Sequence, residues 1–270
     1  MAIITLTSDW GTTDYYVASV KGRILSLMPD ATIVDISHTI APRDIDTAAF
    51  IVRNCFRDFP DGTVHILAMD TVERKLKNSV NRENVFYSHI VVKAHNQYFI
   101  GNDNGIFSKI LDDSFEDIVD LDVPQDSNYF TFCTRDRFVK AAVYLAKGGD
   151  IYDLGAERDG FIKSILMKPL IFPNMIKGTI VYVDNFGNGI SNIPNKLFLQ
   201  HKQGRTYKLE CNSYEITDIK TSYFDVDDDT DLLALFGSHG FIELAICYDN
   251  ADQLCGIRKD TTVIISFYDK

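Results

Sequence analysis

Strands and helices alternate through the first 165 residues of this chain, and the alternation stops after Phe172-Pro173. Short apolar runs at residues 3–7, 32–36, 63–69, 89–94, 98–100 and about 117–121 read as strands. Between them lie helical stretches. Val17, Val20, Ile24 and Leu27 recur at helical spacing behind Thr12, Thr13 and Asp14, which can cap that helix. Ala49, Val52, Phe56 and Phe59 mark a helix over 46–59, stopped by Pro60-Asp61-Gly62. A third runs over 136–147 and ends at Gly148-Gly149. Such alternation predicts an α/β domain with a mostly parallel sheet covered by helices. From residue 177 the runs are short and β-rich: 178–183, 190–193, 206–211, 213–219, 231–236, 241–247 and 262–267. No helix is read among them, which predicts a small antiparallel barrel or sandwich. The expected domains are 1–165 and 177–270, with a linker at about 166–176.

The net charge of -11 argues against nucleic acid as a partner, since phosphate binding needs a basic surface. No apolar run approaches the ~20 residues of a membrane span. The five cysteines form no C-x-x-C pair, so neither a disulfide framework nor a structural zinc site is read. The chain enters a strand at once, so no signal peptide is read, and a reduced, cytoplasmic protein is expected.

Asp9 and Asp14 fall between the first strand and the first helix, where ligands bind in open α/β sheets. The loop lacks both glycine-rich phosphate patterns. A carboxylate there is either a loop acid or a ligand for two neighbouring hydroxyls, and the pair of acids suits a diol or an ammonium group. Asp70 ends the third strand and should share that rim. Gly101-Asn102-Asp103-Asn104-Gly105 reads as a supporting turn. Thr131-Phe132-Cys133-Thr134 precedes the 136–147 helix. Cys133 has no local histidine to act as base, so it reads as a pocket-lining residue rather than a nucleophile. In Val183-Asp184-Asn185-Phe186-Gly187-Asn188, Phe186 offers a stacking face and Asn188 an amide able to read a nucleobase edge. Asp225, Asp227, Asp228, Asp229 and Asp231 lack the glycine and final glutamate of a calcium loop, so no metal site is read there.

Taken in order, these segments resemble the S-adenosylmethionine (SAM) hydroxide adenosyltransferases, or SAM hydrolases, relatives of the SAM-dependent fluorinase and chlorinase. Residues 7–17 with Lys21-Gly22, Asp35-Ile36-Ser37-His38, residues 59–65, 101–105, Thr131-Phe132 with Arg135-Asp136, 183–188 and 237–243 carry the likeness over nearly the whole chain. The resemblance implies an N-terminal α/β domain with a mostly parallel, Rossmann-like sheet and a small C-terminal antiparallel β-barrel, in agreement with the division read above. It implies no cofactor beyond SAM as substrate. It also implies a homotrimer with sites between subunits, so that Asp9 and Asn188 of different chains face one ligand.

By the same resemblance Asp9 holds the ribose diol, Asp14 and Asp184 face the methionyl ammonium, and Ser238 reaches the methionyl carboxylate. Phe186 flanks the adenine and Asn188 bonds it, while Thr131, Phe132, Cys133 and Thr134 line the substrate site. The hydrolases manage the attacking water with a strand-end aspartate, an arginine after a Pro-Gly turn, and a histidine after the Thr-Phe pair. Asp70 matches the aspartate. The Pro-Gly turn is absent, Arg74 comes earlier than the family arginine, and Lys77 lies nearer its place. Cys133 stands where the histidine does and Thr134 where a glycine does. The expected catalytic group is therefore Asp70 with Arg74 or Lys77. Two alternatives stay open: a SAM or adenosine binder with little catalysis, and halide transfer, which Thr134 fits and the charge of Asp70 opposes.

Overall fold

The computed structural model describes residues 2–71, 74–77, 84–112, 114–126, 128, 131–164, 167–226, 228 and 230–269, with backbone alone at 74–77 and 84–87. The chain divides into two compact units, residues 1–165 and 166–270.

The first unit contains β1 (Ile3–Ser8), α1 (Tyr16–Leu27), β2 (Thr32–Ser37), α2 (Ile45–Arg53), β3 (Val64–Ala68), β4 (Arg74–Lys77), β5 (Asn84–Tyr87), β6 (His89–Ala94), β7 (Gln97–Asn102), α3 (Ile106–Leu111), β8 (Asp117–Asp120) and α4 (Val139–Ala146). Its six-stranded sheet has the order β2-β1-β3-β7-β6-β8. The β1/β2, β1/β3 and β3/β7 pairs are parallel, while β6 runs antiparallel to both β7 and β8. Strand alternation divides the core. Ile4, Leu6, Val64, Ile66 and Val91 face α1 and α4 on one side. Leu67, Met69, Ile90, Val92 and Phe99 face α2 and α3 on the other. A strand buried on both faces reads as a continuous apolar run, which is why β3 was legible from sequence.

Helix boundaries differ from expectation in three places. Helix α1 is capped at Tyr15, with no side-chain cap, so Thr12, Thr13 and Asp14 stay in the loop. The 46–59 helix is really two elements: α2, capped by Asp44 through Thr47 N, and a separate 3₁₀ turn at Phe56–Asp58. The last helix opens earlier than Asp136, with a π-helical turn over Thr134–Phe138 that leads into α4. Such turns inside helices are frequent at functional sites.

The second unit contains β9 (Leu170–Phe172), β10 (Met175–Val183), β11 (Gly189–Pro194), α5 (Asn195–Lys202), β12 (Thr206–Cys211), β13 (Tyr214–Ile216), β14 (Ile219–Lys220), β15 (Leu232–Phe236), β16 (Phe241–Ile246), α6 (Ala251–Cys255) and β17 (Thr262–Tyr268). The sheet order is β13-β12-β17-β10-β11-β16-β15-β14, with β9 on β10. Every pairing but β14/β15 is antiparallel. β13 also packs against β15, so the sheet curls into a nearly closed barrel around Ile176, Ile180, Leu209, Leu244 and Ile265. Residues 170–172, in the stretch read as linker, form a strand. The expectation of no helix is corrected by α5 and α6, which are eight and five residues long. Only Phe198 and Ala251 are buried on them, too little periodicity to be legible.

Candidate active site

β1 and β3 are parallel neighbours, with Ser8 opposite Ala68. Their carboxyl ends therefore bring Asp9 and Asp70 to one rim, as the sequence predicted. Arg43, in the loop between β2 and α2, touches both acids. Its backbone N–H donates to Asp9 Oδ2 at 2.9 Å, and its Nε lies 3.9 Å from Asp70 Oδ1. Sequence reading missed Arg43, because a single arginine after Ala41-Pro42 carries no local signal.

The residues around Asp70 are fixed from below. Asn104 Nδ2 donates to Met69 O at 3.1 Å and Asn102 Nδ2 to Asp70 O at 2.7 Å, so the 101–105 turn does support the rim. Thr71 O receives two hydrogen bonds, from Cys133 Sγ at 2.9 Å and from His89 Nε2 at 2.8 Å. Arg137 Nη1 lies 3.1 Å from His89 Nδ1. An arginine only donates, so Nδ1 accepts, and Nε2 carries the proton given to Thr71. His89 is 2% exposed. Cys133 is thus a buried donor beneath the rim, and His89 and Arg137 are supports that sequence reading missed.

The Asp9 loop is pinned from the other side. Gly11 N donates to His38 O at 2.7 Å, and Ser8 Oγ lies 2.7 Å from His38 Nδ1. His38 Nε2 stands 3.1 Å from Asp35 Oδ1, and Lys21 bonds Asp35 Oδ2. Burial raises the Asp35 carboxyl, but its bonds to Lys21 and His38 outweigh that and hold it below the usual carboxylate range. Trp10 packs edge-on against Phe132 at 5.5 Å, and Tyr16 does so at 5.3 Å. This aromatic cluster brings the Asp9 loop against the 131–134 segment. Thr131 and Asp14 are exposed. Thr134 is fully buried, and its Oγ1 has no hydrogen-bond partner among the described residues. The side chains of Arg74 and Lys77 lie outside the described residues.

In the barrel unit the loop after β10 is organised by Asp184. Its Oδ1 accepts from Phe186 N at 2.9 Å and Asn188 N at 2.8 Å, and its Oδ2 accepts from Asn188 Nδ2 at 3.0 Å. A carboxylate accepts only, so the Asn188 amide must turn its NH₂ toward Asp184 and keep Oδ1 as its other face. Gly187 holds φ +85, and a Cβ there would come within 2.2 Å of the Asn250 side chain. Asn188 is buried, while Phe186 is 74% exposed, an aromatic face without cover.

Ser238 is exposed at a turn braced through the buried Glu243. His239 Nε2 lies 3.1 Å from Glu243 Oε2, and Phe241 N donates to His239 Nδ1 at 3.1 Å. Tyr223 donates to Glu243 Oε1 at 2.7 Å. Burial raises the Glu243 carboxyl, and the bonds from His239 and Tyr223 outweigh it, so its pKa lies below the ordinary value. Tyr223 is pushed upward by burial and by Glu243. This brace was also missed by sequence reading. Among the described residues no group of His, Cys, Asp and Glu could hold a metal ion, and no helix is long and apolar enough to cross a membrane.

The chain is similar to an (R)-S-adenosyl-L-methionine hydrolase of Methanocaldococcus jannaschii, 29% identical over 94% of this chain and 92% of that protein. It is 25% identical to an (R)-S-adenosyl-L-methionine hydrolase of Thermus thermophilus, over 97% and 99%. A fluorinase of Actinoplanes is 28% identical over 71% of each chain. Among solved structures, an uncharacterized conserved protein from Thermotoga maritima superposes with a TM-score of 0.84 at 27% identity, covering 98% of this chain and 99% of that one. The family models for the SAM hydroxide adenosyltransferase N-terminal and C-terminal domains match residues 4–155 and 178–264, so the chain belongs to the SAM hydroxide adenosyltransferase family.

Proposed function

We propose that this protein hydrolyses S-adenosyl-L-methionine to adenosine and L-methionine. The observation that carries the reading, in a chain of this family, is the pairing of Asp9 and Asp70 at the ends of adjacent parallel strands, linked through Arg43. Asp9 accepts the two ribose hydroxyls. The water oxygen attacks the ribose 5′ carbon in line with the sulfonium. The C5′–S bond breaks with its electron pair passing to sulfur, and methionine leaves as a neutral thioether. Asp70 orients the water and takes its proton, which then passes to solvent. Methionine is already a good leaving group, so the site's main contribution is a positioned and partly desolvated nucleophile.

In this reading the barrel unit of a neighbouring subunit supplies the base recognition. Phe186 stacks on adenine, and Asn188 Oδ1, the acceptor left by its bond to Asp184, receives the exocyclic amine. Ser238, on its braced turn, bonds the methionyl carboxylate, and Asp14 faces the ammonium. Asp184 acts there through its field, since both its oxygens are engaged within the loop. The uncovered Phe186 face supports assembly as a homotrimer, and the lack of a disulfide among the described cysteines supports a reducing, cytoplasmic setting.

The test is a chromatographic product assay with purified protein and SAM, in halide-free buffer and with added chloride or fluoride. Catalytic adenosine and methionine without halide is the expected result. Binding of SAM or adenosine with no product would make the chain a binder, and a 5′-halogenated nucleoside would make it a halogenase.

A further inference from the structure

Two non-glycine residues of the rim hold left-handed backbones, Arg43 at φ 65 and Asp70 at φ 46, and their side chains face one another. Such a conformation is strained for an L side chain and tends to persist at functional sites. Packing does not account for it at Arg43, whose side chain is 71% exposed. A glycine in that turn would avoid the cost and keep every backbone bond the turn makes: Asp44 N to Ala41 O at 3.0 Å, Ile45 N to Arg43 O at 2.9 Å, and the amide bond to Asp9.

Among the described side chains, Arg135, Arg137 and Arg158 of this unit have partners elsewhere. Arg135 bonds Asp136 through Nε and Nη2 and lies over the Phe132 ring at 5.2 Å. Arg137 is spent on Val123 O, Leu121 O and His89. Arg158 joins Asp103 and Asp120. Arg43 instead points its guanidinium at a carboxylate that is 14% exposed, at ion-pair range but longer than a hydrogen bond.

We infer that Arg43 is a positioning residue for the hydrolytic step, its guanidinium orienting the Asp70 carboxylate toward the attacking water while its backbone amide holds Asp9 for the ribose. The inference rests on the hydrolase reading. The division of labour has a kinetic consequence. The Asp9 contact is made by backbone and survives loss of the side chain, whereas the Asp70 contact does not. Binding and turnover should therefore respond differently to the same substitution.

The experiment compares wild type, Arg43→Gly and Arg43→Lys in steady-state SAM hydrolysis, with adenosine affinity by calorimetry and melting temperature alongside. Arg43→Gly is expected to lower kcat by about 10- to 100-fold. Its KM for SAM and its adenosine Kd should stay within about threefold of wild type, and its melting temperature should not fall, because the backbone strain is relieved. Arg43→Lys should recover part of kcat, since an ammonium supplies the charge without the planar fork. The inference is overturned if Arg43→Gly keeps wild-type kcat, or if KM rises while kcat holds. A wild type that forms no adenosine overturns the hydrolase reading, and this inference with it, and is told apart from the other failures by the wild-type control.

Discussion

Arg43 Nε stands 3.9 Å from Asp70 Oδ1, and the same arginine's backbone N–H donates to Asp9 Oδ2 at 2.9 Å. One residue therefore ties together the two acids that end β1 and follow β3. The consequence is geometric: Asp9 and Asp70 cannot shift independently without breaking a contact to the 38–44 loop.

Asp70→Asn is the direct test of the attacking-water assignment. Asparagine tolerates the left-handed backbone that Asp70 holds, so the loop should keep its shape. It cannot take a proton from water. Turnover should fall by about 10²- to 10⁴-fold, while calorimetric adenosine affinity stays near wild type. Full turnover by this variant removes Asp70 from the chemistry.

The orientation of Asn188 makes a prediction about the base. Its NH₂ faces Asp184, so it offers the ligand an acceptor. Adenosine presents an amine there and inosine a carbonyl oxygen, which would meet a second acceptor. Inosine should bind at least about tenfold more weakly than adenosine, a difference of roughly 1.4 kcal/mol. In Asn188→Ala both should bind weakly, with the preference lost. Equal affinities in the wild type would show that another group reads the base.

Cys133 and His89 converge on Thr71 O, but they differ in what their loss exposes. Cys133→Ala removes a weak donor and little volume, so turnover should stay within a few-fold of wild type. His89→Ala empties a fully enclosed ring site and leaves Arg137 facing a void, at a cost of about 2–4 kcal/mol in denaturant unfolding. Abolished turnover in Cys133→Ala, with the fold intact by circular dichroism, would restore a chemical role for the thiol.

His65 governs part of the acid stability. It is fully buried between Thr5 Oγ1 at 2.7 Å and Gln97 Oε1 at 2.9 Å, and burial pushes its imidazole down to about 4. An unfolded histidine titrates near 6.5, so between about 6.5 and 4 the unfolded chain binds the extra proton. This contribution to stability is complete above about pH 6.5 and is lost as pH falls toward 4, amounting to about 3 kcal/mol. Urea midpoints at pH 7.5 and pH 4.5 should differ less in His65→Gln than in wild type. An unchanged pH dependence in that variant would assign acid sensitivity to other groups.

Much of the architecture was legible because it depends on local periodicity. β3 is apolar throughout because both its faces are covered, and Val20 and Ile24 repeat at helical spacing because α1 buries one stripe. The short helices α5 and α6 were not legible, since their burial comes from the barrel they cap rather than from their own pattern. The cap of α1 was misread for a related reason: Thr12, Thr13 and Asp14 are good capping residues, but the loop they occupy is anchored by Gly11 to His38 O, and the helix starts only at Tyr16.

The sequence by itself determined the alternation of the main strands with α1, α2 and α4 in the first unit, the β-rich character of the second, the strand-end positions of Asp9 and Asp70, the Asp184–Asn188 turn and the family to which these segments belong. Each of those is written in residues close together along the chain. Tertiary structure decided that Arg43 reaches Asp70, that His89 and Cys133 share one carbonyl, and that Asp184 spends both oxygens on its own loop. The first two join residues 18 to 62 positions apart, brought together by the parallel pairing of β1 with β2 and β3 and by the packing of α4 beneath them. The third turns on which donors the loop's conformation aims at the carboxylate, and residue type does not specify that direction.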